Sequence, residues 1–137
     1  MALARGGRGG DKAICSVHLG LLLLLVILAL QCGVEPAAAR REWPVGDGAG
    51  WSPGVVGWPN YKPFKAGDVL VFSYDASAHN VVVVGDVDYA LCRAPANATA
   101  YGSGDDRVAL PPGVTFFVSG FPGDCDKGMM KIAVTAR

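Results

Sequence analysis

Side chains able to bind a metal ion or to catalyse hydrolysis lie in one short stretch near the C-terminus of this 137-residue chain. The stretch supplies a hydroxyl, a carboxylate, a thiol and two thioethers, at Ser119, Asp124, Cys125, Met129 and Met130. His79, just before four consecutive valines, adds an imidazole. Imidazole and carboxylate suit Cu(II) or Zn(II), whereas thiolate and thioether sulfur suit Cu(I). A single histidine at the start of a strand is usually structural, so these residue types alone do not establish a metal site.

A second chemistry, nucleophilic hydrolysis, is open to Ser119, His79 and Asp124. A Ser–His–Asp triad requires the imidazole to lie between the hydroxyl and the carboxylate, and it needs an oxyanion hole. Nothing in the sequence indicates such a hole, so we do not expect an enzyme.

Short apolar segments, separated by glycine- and proline-rich turns, must position these side chains. They predict β-strands at residues 41–45, 69–74, 81–84, 107–110, 114–119 and 130–134. Pro44 cannot donate a ladder hydrogen bond, which favours a sheet edge for the first strand. The valine run has high strand propensity. This pattern predicts an all-β fold, a Greek-key β-sandwich.

The segments between the strands have their own signals. Two tryptophans in a turn-rich region, Trp51 and Trp58, are expected to anchor it to the core. Residues 86–92 have room for one helical turn, and residues 93–106 have the composition of an exposed loop. That loop contains the sequon Asn-Ala-Thr, which predicts N-glycosylation at Asn97.

The N-terminal region has the organisation of a secretory signal peptide. An apolar run at residues 19–30 follows three basic residues and precedes three alanines, Arg5, Arg8 and Lys12 and then Ala37, Ala38 and Ala39. A run of twelve residues is too short to cross a hydrocarbon core about 30 Å thick. We therefore expect cleavage of residues 1–39 and one secreted domain at residues 40–137.

Cleavage after Ala39 would leave nine basic and ten acidic residues, a net charge of −1. Such a balance lacks the excess positive charge that attracts nucleic acid or anionic membranes. We therefore expect neither as a main partner, and we expect a monomer.

Four cysteines are present, and two of them, Cys15 and Cys32, lie in the predicted signal peptide. Cys92 and Cys125 remain, and an even number in a secreted chain predicts a disulfide. The alternative is a thiolate metal ligand at Cys125, which would leave Cys92 unpaired in an oxidising compartment.

Four segments together resemble the phytocyanins, in the plantacyanin or basic blue protein branch: WPVGDGAGW (43–51), AGDVLVF (66–72), HNVVVV (79–84) and FPGDCDKG (121–128). The resemblance covers about residues 41–137. It implies the cupredoxin form of the β-sandwich and a single disulfide at the positions of Cys92 and Cys125. It also implies copper as the cofactor and single-electron transfer as the activity.

The phytocyanin copper loop reads C-x-F-P-G-H-C-x-x-G-M, and its first Cys, its His and its Met bind copper. In this chain Ser119 stands at the position of that Cys, and Asp124 stands at the position of that His. His79 matches the other histidine ligand. The axial ligand is Met130 or Met129, because one residue is inserted here. Strand alternation favours Met130.

The resemblance and the substitutions lead to two hypotheses. In the first, copper is absent or weakly bound, and the protein is a secreted module of the cell wall that binds an extracellular protein or glycan. In the second, it is a plantacyanin that carries copper and transfers single electrons to a redox partner. We expect His79 and Asp124 to interact, with Ser119 nearby, in the place of a metal. We expect no lipid anchor, because neither a polar stalk nor an apolar tail follows the last strand.

Overall fold

The computed structural model describes residues 40–137, which form two β-sheets and one short helix. In chain order the elements are β1 (Glu42–Pro44), β2 (Val69–Ser73), β3 (Val81–Val84), α1 (Asp86–Leu91), β4 (Ala100–Tyr101), β5 (Asp105–Ala109), β6 (Gly113–Val118) and β7 (Lys131–Ala136). Two 3-10 turns, Asp47–Ala49 and Val55–Gly57, lie between β1 and β2. The predicted signal peptide, residues 1–39, lies outside the described residues. Within those residues, no helix has the length and hydropathy of a membrane span.

The strands form one three-stranded and one four-stranded sheet, in the orders β1-β2-β5 and β4-β3-β6-β7. β1 is parallel to β2 and pairs with no other strand of the described chain, which confirms the edge position predicted from Pro44. All pairs of the larger sheet are antiparallel. The two sheets and the single short helix confirm the all-β prediction.

The core lies between the sheets and is built from aromatic and branched aliphatic side chains. Its most completely buried members include Trp51, Phe72, Phe117, Leu70, Met130, Ile132, Val81 and Val134. Trp51 packs edge-on against Phe72, and its indole N–H donates to the carbonyl of Asn80 at 2.8 Å. The prediction that Trp51 anchors its loop is confirmed. Trp58 is half-buried against the same core.

The prediction of one exposed loop across residues 93–106 was wrong in part. Ala100 and Tyr101 form β4 by pairing with Val82 and Val81, and β5 already begins at Asp105. Two residues carry too little local pattern to indicate a strand. β4 exists because β3 offers it a free edge. The helical turn expected at residues 86–92 is α1.

Asp68 connects β1 to the turn before β2. Its carboxylate is 1% exposed and accepts hydrogen bonds from the Trp43 indole at 2.9 Å, the Lys65 amide at 3.0 Å and the Arg41 amide at 3.2 Å. Burial raises the pKa of Asp68, but these three hydrogen bonds and the positive charge of Arg41 together outweigh burial, and the pKa lies below its ordinary value. The carboxylate is therefore charged and fully bonded inside the fold.

Candidate functional site

His79 meets two side chains of the C-terminal stretch, Ser119 and Asp124, at one end of the sandwich. The Nδ1 atom of His79 lies 2.7 Å from Oδ2 of Asp124, and the Ser119 hydroxyl donates to the same oxygen at 2.6 Å. The side chains of His79 and Asp124 are 19% and 17% exposed, while Ser119 is 3% exposed. The predicted contact between His79 and Asp124, with Ser119 beside them, is what the structure contains. We refer to these three residues as the polar triad.

His79 reaches the triad from the turn that precedes β3. Its amide donates to the carbonyl of Asp75 at 3.0 Å, which closes that turn. The next residue, Asn80, accepts a hydrogen bond from the Gly120 amide on its side-chain oxygen at 2.6 Å. Since Gly120 follows Ser119, Asn80 holds the two halves of the site together. Sequence reasoning missed this role, although Asn80 directly adjoins the histidine in the motif.

Ser119 and Met130 lie just beyond the paired ends of β6 and β7, where Val118 faces Lys131. The Ser119 amide donates to the Met130 carbonyl at 3.1 Å, and the Met130 amide donates to the Asp124 carbonyl at 2.9 Å. The backbone of Met130 thus joins two members of the triad.

The loop between these strands is closely folded. The Gly128 amide donates to the carbonyl of Gly123 at 2.9 Å, and a Cβ atom at Gly128 would lie 2.6 Å from the carbonyl oxygen of Asp124. Only glycine fits there without moving the backbone that carries the triad's carboxylate.

The two adjacent methionines have different environments. Met130 is fully buried in the core, whereas Met129 is 44% exposed and has a φ of 52°. Strand phase predicted the buried position for Met130, and Met129 before it adopts a left-handed backbone conformation. The assignment of Met130 rather than Met129 to an axial ligand position stays a prediction.

Cys92 and Cys125 form a disulfide, which joins the end of α1 to the loop of the triad. Cys125 follows Asp124 directly, so the bridge fixes the backbone next to the triad's carboxylate. Both cysteines of residues 40–137 are used in this bond.

The hydrogen-bond order within the triad determines its chemistry. An ionised carboxylate only accepts hydrogen bonds, so the proton between Asp124 and His79 is assigned to Nδ1. The Ser119 hydroxyl donates to Asp124 and not to the imidazole, so the carboxylate occupies the middle position. A hydrolytic triad has the imidazole in that position. The arrangement does not activate Ser119 as a nucleophile.

Residues 40–137 contain no group of three or more His, Cys, Asp and Glu side chains that lie close enough to hold a metal ion.

Known proteins with similar sequences and structures place this site in context. The family described as the plastocyanin-like domain matches residues 51–129. Chemocyanin from Lilium longiflorum is 41% identical over 134 residues, which are 98% of this chain and 99% of that protein. The basic blue protein of Arabidopsis thaliana is 45% identical over 115 residues, which are 84% of this chain and 86% of that protein.

The chain belongs to the phytocyanin family. Among solved structures, cucumber basic protein, a blue copper protein, superposes with a TM-score of 0.68 at 45% identity, over 70% of this chain and 99% of that one. These similarities confirm the family and the cupredoxin fold that the sequence motifs indicated. Phytocyanins are electron-transfer copper proteins rather than enzymes.

A remaining prediction for this phytocyanin concerns Asn97. The residue is exposed and lies in a turn between α1 and β4. The side chain is accessible to a glycosyltransferase, and its glycosylation stays a prediction.

Proposed function

We propose that this phytocyanin is a secreted module without a blue copper centre, and that it acts by binding a protein or glycan outside the cell. The observation that carries the proposal is the bonding of the polar triad. Asp124 accepts from Ser119 and from His79, so the polar groups at this position satisfy one another. Buried polar groups require partners, and here each supplies a partner for another.

The donor set does not fit a blue copper site. Such a site uses two imidazoles and one thiolate near a plane, with a weak axial thioether. Residues 40–137 contain one histidine, His79, and their two cysteines are bonded to each other. Ser119 offers a hydroxyl and Asp124 a hard carboxylate, and neither replaces a soft thiolate.

Two further observations support a role outside the cell. Phytocyanins are secreted or cell-surface proteins, and the disulfide at Cys92 and Cys125 is of a kind that persists in oxidising compartments. Ser119 and Asp124 are not the copper ligands of the family, while the β-sandwich that positions them is present, as expected for a scaffold that binds a partner.

The alternative function is single-electron transfer by bound copper, as the names of the basic blue protein relatives suggest. It would require His79, Asp124 and a methionine to hold the metal. A carboxylate favours Cu(II) over Cu(I) and so opposes the reversible reduction that an electron carrier needs.

Metal content after exposure to copper separates the two functions. The folded protein is incubated with Cu(II), desalted and analysed for bound metal, and its visible spectrum is recorded. We expect copper far below one equivalent and no blue band. Copper in stoichiometric amount that cycles reversibly between oxidation states would contradict the proposal and support electron transfer.

A further inference from the structure

Basic residues gather at the end of the sandwich opposite the polar triad. The triad lies where Val118 faces Lys131, whereas the other end of the same strand pair is where Gly113 faces Ala136. There the Ala66 amide donates to the Arg137 carbonyl at 2.9 Å, and the Arg137 amide donates to the Phe64 carbonyl at 3.2 Å.

Five of the nine basic residues in 40–137 lie at or beside this end, Arg40, Arg41, Lys62, Lys65 and Arg137. The Arg41 and Lys65 amides share the carboxylate of Asp68, and the guanidinium of Arg40 lies near Gly67. Although residues 40–137 have a net charge of −1, more than half of their basic residues lie at this one end. Sequence reasoning missed this because the cluster forms only when β1 pairs with β2.

Three of these cations, together with apolar side chains, line a cleft of about 230 Å³. We name it the basic cleft, and its lining is Lys62, Pro63, Phe64, Lys65, Thr135 and Arg137. Small-molecule pockets range from about 300 to 1,000 Å³. The basic cleft is smaller and admits a ligand unit of about one ring.

The cations of the basic cleft are available to an anion. Among the described residues, no ion pair involves Lys62, Lys65 or Arg137. Lys62 is held in place because its ammonium donates to the Trp58 carbonyl at 2.8 Å and lies 5.0 Å from the centre of the Trp58 ring. An ammonium has three N–H donors, so two remain for a ligand. The buried carboxylate of Asp68 accepts its three hydrogen bonds from two backbone amides and an indole, and not from the side chains of Lys62, Lys65 or Arg137.

From this combination we infer that the basic cleft binds a carboxylated oligosaccharide, with one uronic acid ring seated over Pro63. Lysine and arginine bind carboxylates through charge-assisted hydrogen bonds, and the apolar floor suits the C–H face of a sugar ring. The inference rests on the proposed role as an extracellular binding module. It assigns the ligand class and places binding at the end away from the copper position of the family.

Two other polyanions fit the basic cleft less well. A membrane surface is broad and cannot enter a cleft of this size. A nucleic acid requires a basic stripe that follows several phosphates, whereas residues 40–137 carry a net charge of −1.

Binding of trigalacturonate to the folded protein, expressed from the full-length sequence, tests the inference by calorimetry and by NMR titration. The double variant Lys65→Gln/Arg137→Gln removes two cations. It retains Lys62, whose ammonium also donates a hydrogen bond to the Trp58 carbonyl. We expect about a tenfold loss of affinity, because two solvent-exposed ion pairs with the ligand are removed. The methyl ester of trigalacturonate should bind much more weakly, because its carboxylates are neutral.

The matched control is Arg93→Gln/Lys127→Gln, which makes the same change in net charge outside the basic cleft. Its affinity should stay within about twofold of the original, because salt screens distant charges. Equal losses in both variants would overturn the inference, as would equal binding of the methyl ester or no binding of trigalacturonate. Stronger cleft-dependent binding of an oligonucleotide or of phosphatidylserine vesicles would also overturn it.

Metal analysis of the same samples keeps this inference separate from the proposed function. If the protein binds neither copper nor trigalacturonate, only the ligand assignment is overturned. A protein that cycles bound copper and also binds trigalacturonate overturns the copper-free function alone.

Discussion

Asp68 and Asp124 lie at opposite ends of the sandwich, and both accept several hydrogen bonds, but their donors and exposure differ. Asp68 is 1% exposed and accepts from two backbone amides and an indole. The Asp124 side chain is 17% exposed and accepts from Ser119 and His79, two exchangeable side chains. Because two of its donors are backbone amides, the Asp68 carboxylate is bound by the fold itself. Because both of its donors are side chains, the hydrogen bonding of Asp124 can change when those side chains are substituted.

The two ends are also held by different means. The loop of Asp124 carries the disulfide between Cys92 and Cys125, whereas the turn of Asp68 depends on hydrogen bonds and on the pairing of β1 with β2. The polar triad can therefore vary in chemistry while a covalent bond keeps its loop in place. Four predictions test this contrast.

The largest effect is expected from the double variant Cys92→Ala/Cys125→Ala. The bridge closes a sequence separation of 33 residues, and in the chain-entropy model it contributes about 4 kcal/mol to the free energy of unfolding. Urea denaturation of the variant and the oxidised protein measures the difference. A loss below about 1 kcal/mol would mean that the site end does not depend on the bridge.

Asp68→Ala should cost about 3 kcal/mol, because it leaves the Trp43 indole and two backbone amides without an acceptor in a buried place. Asp68→Asn keeps one oxygen and should cost less. Asp126→Ala, at an exposed aspartate, is the control and should leave the urea midpoint unchanged. If the urea midpoint of Asp68→Ala equals that of Asp126→Ala, Asp68 does not stabilise its end of the sandwich.

Asp124→Ala should cost about 1–2 kcal/mol, less than Asp68→Ala, because water can reach the partly exposed site and replace the lost acceptor. The same urea series gives the comparison. A larger loss at Asp124 than at Asp68 would reverse the proposed order of the two ends.

The smallest effect is the acid dependence of stability contributed by Asp68. Burial alone would raise the pKa of Asp68. The hydrogen bonds from Trp43, Lys65 and Arg41, together with the positive charge of Arg41, lower the pKa by more than burial raises it, so the folded pKa lies below the unfolded value of about 3.9. Its contribution is therefore present above the unfolded pKa and is lost as pH falls towards the folded one. Urea midpoints between about pH 6 and pH 3 should fall less steeply in Asp68→Asn than in the original protein. Parallel curves would contradict this assignment.

Much of the fold could be predicted because its signals are local. The valine run gave β3, and Pro44 gave an edge strand. β4 could not be predicted, because Ala100 and Tyr101 become a strand only by pairing with β3. The parallel pairing of β1 with β2 likewise depends on a contact between distant residues.

The same distinction applies to the candidate site. The meeting of His79, Ser119 and Asp124 followed from family positions, and the burial of Met130 followed from strand phase. The basic cleft was missed, because net charge contains no information on where cations gather. Residues from two separate segments, 62–65 and 135–137, form it, and only the folded chain brings them together.

The most direct test of the account is the visible spectrum and copper content of the original protein beside the variant Ser119→Cys/Asp124→His after exposure to Cu(II). This variant introduces a thiolate and a second imidazole at the positions of Ser119 and Asp124. We expect a blue band and stoichiometric copper in the variant, and neither in the original protein. An intense blue band in the original protein would mean that a thiolate reaches the metal, and the assignments of Ser119 and of the Cys92–Cys125 bridge would be wrong.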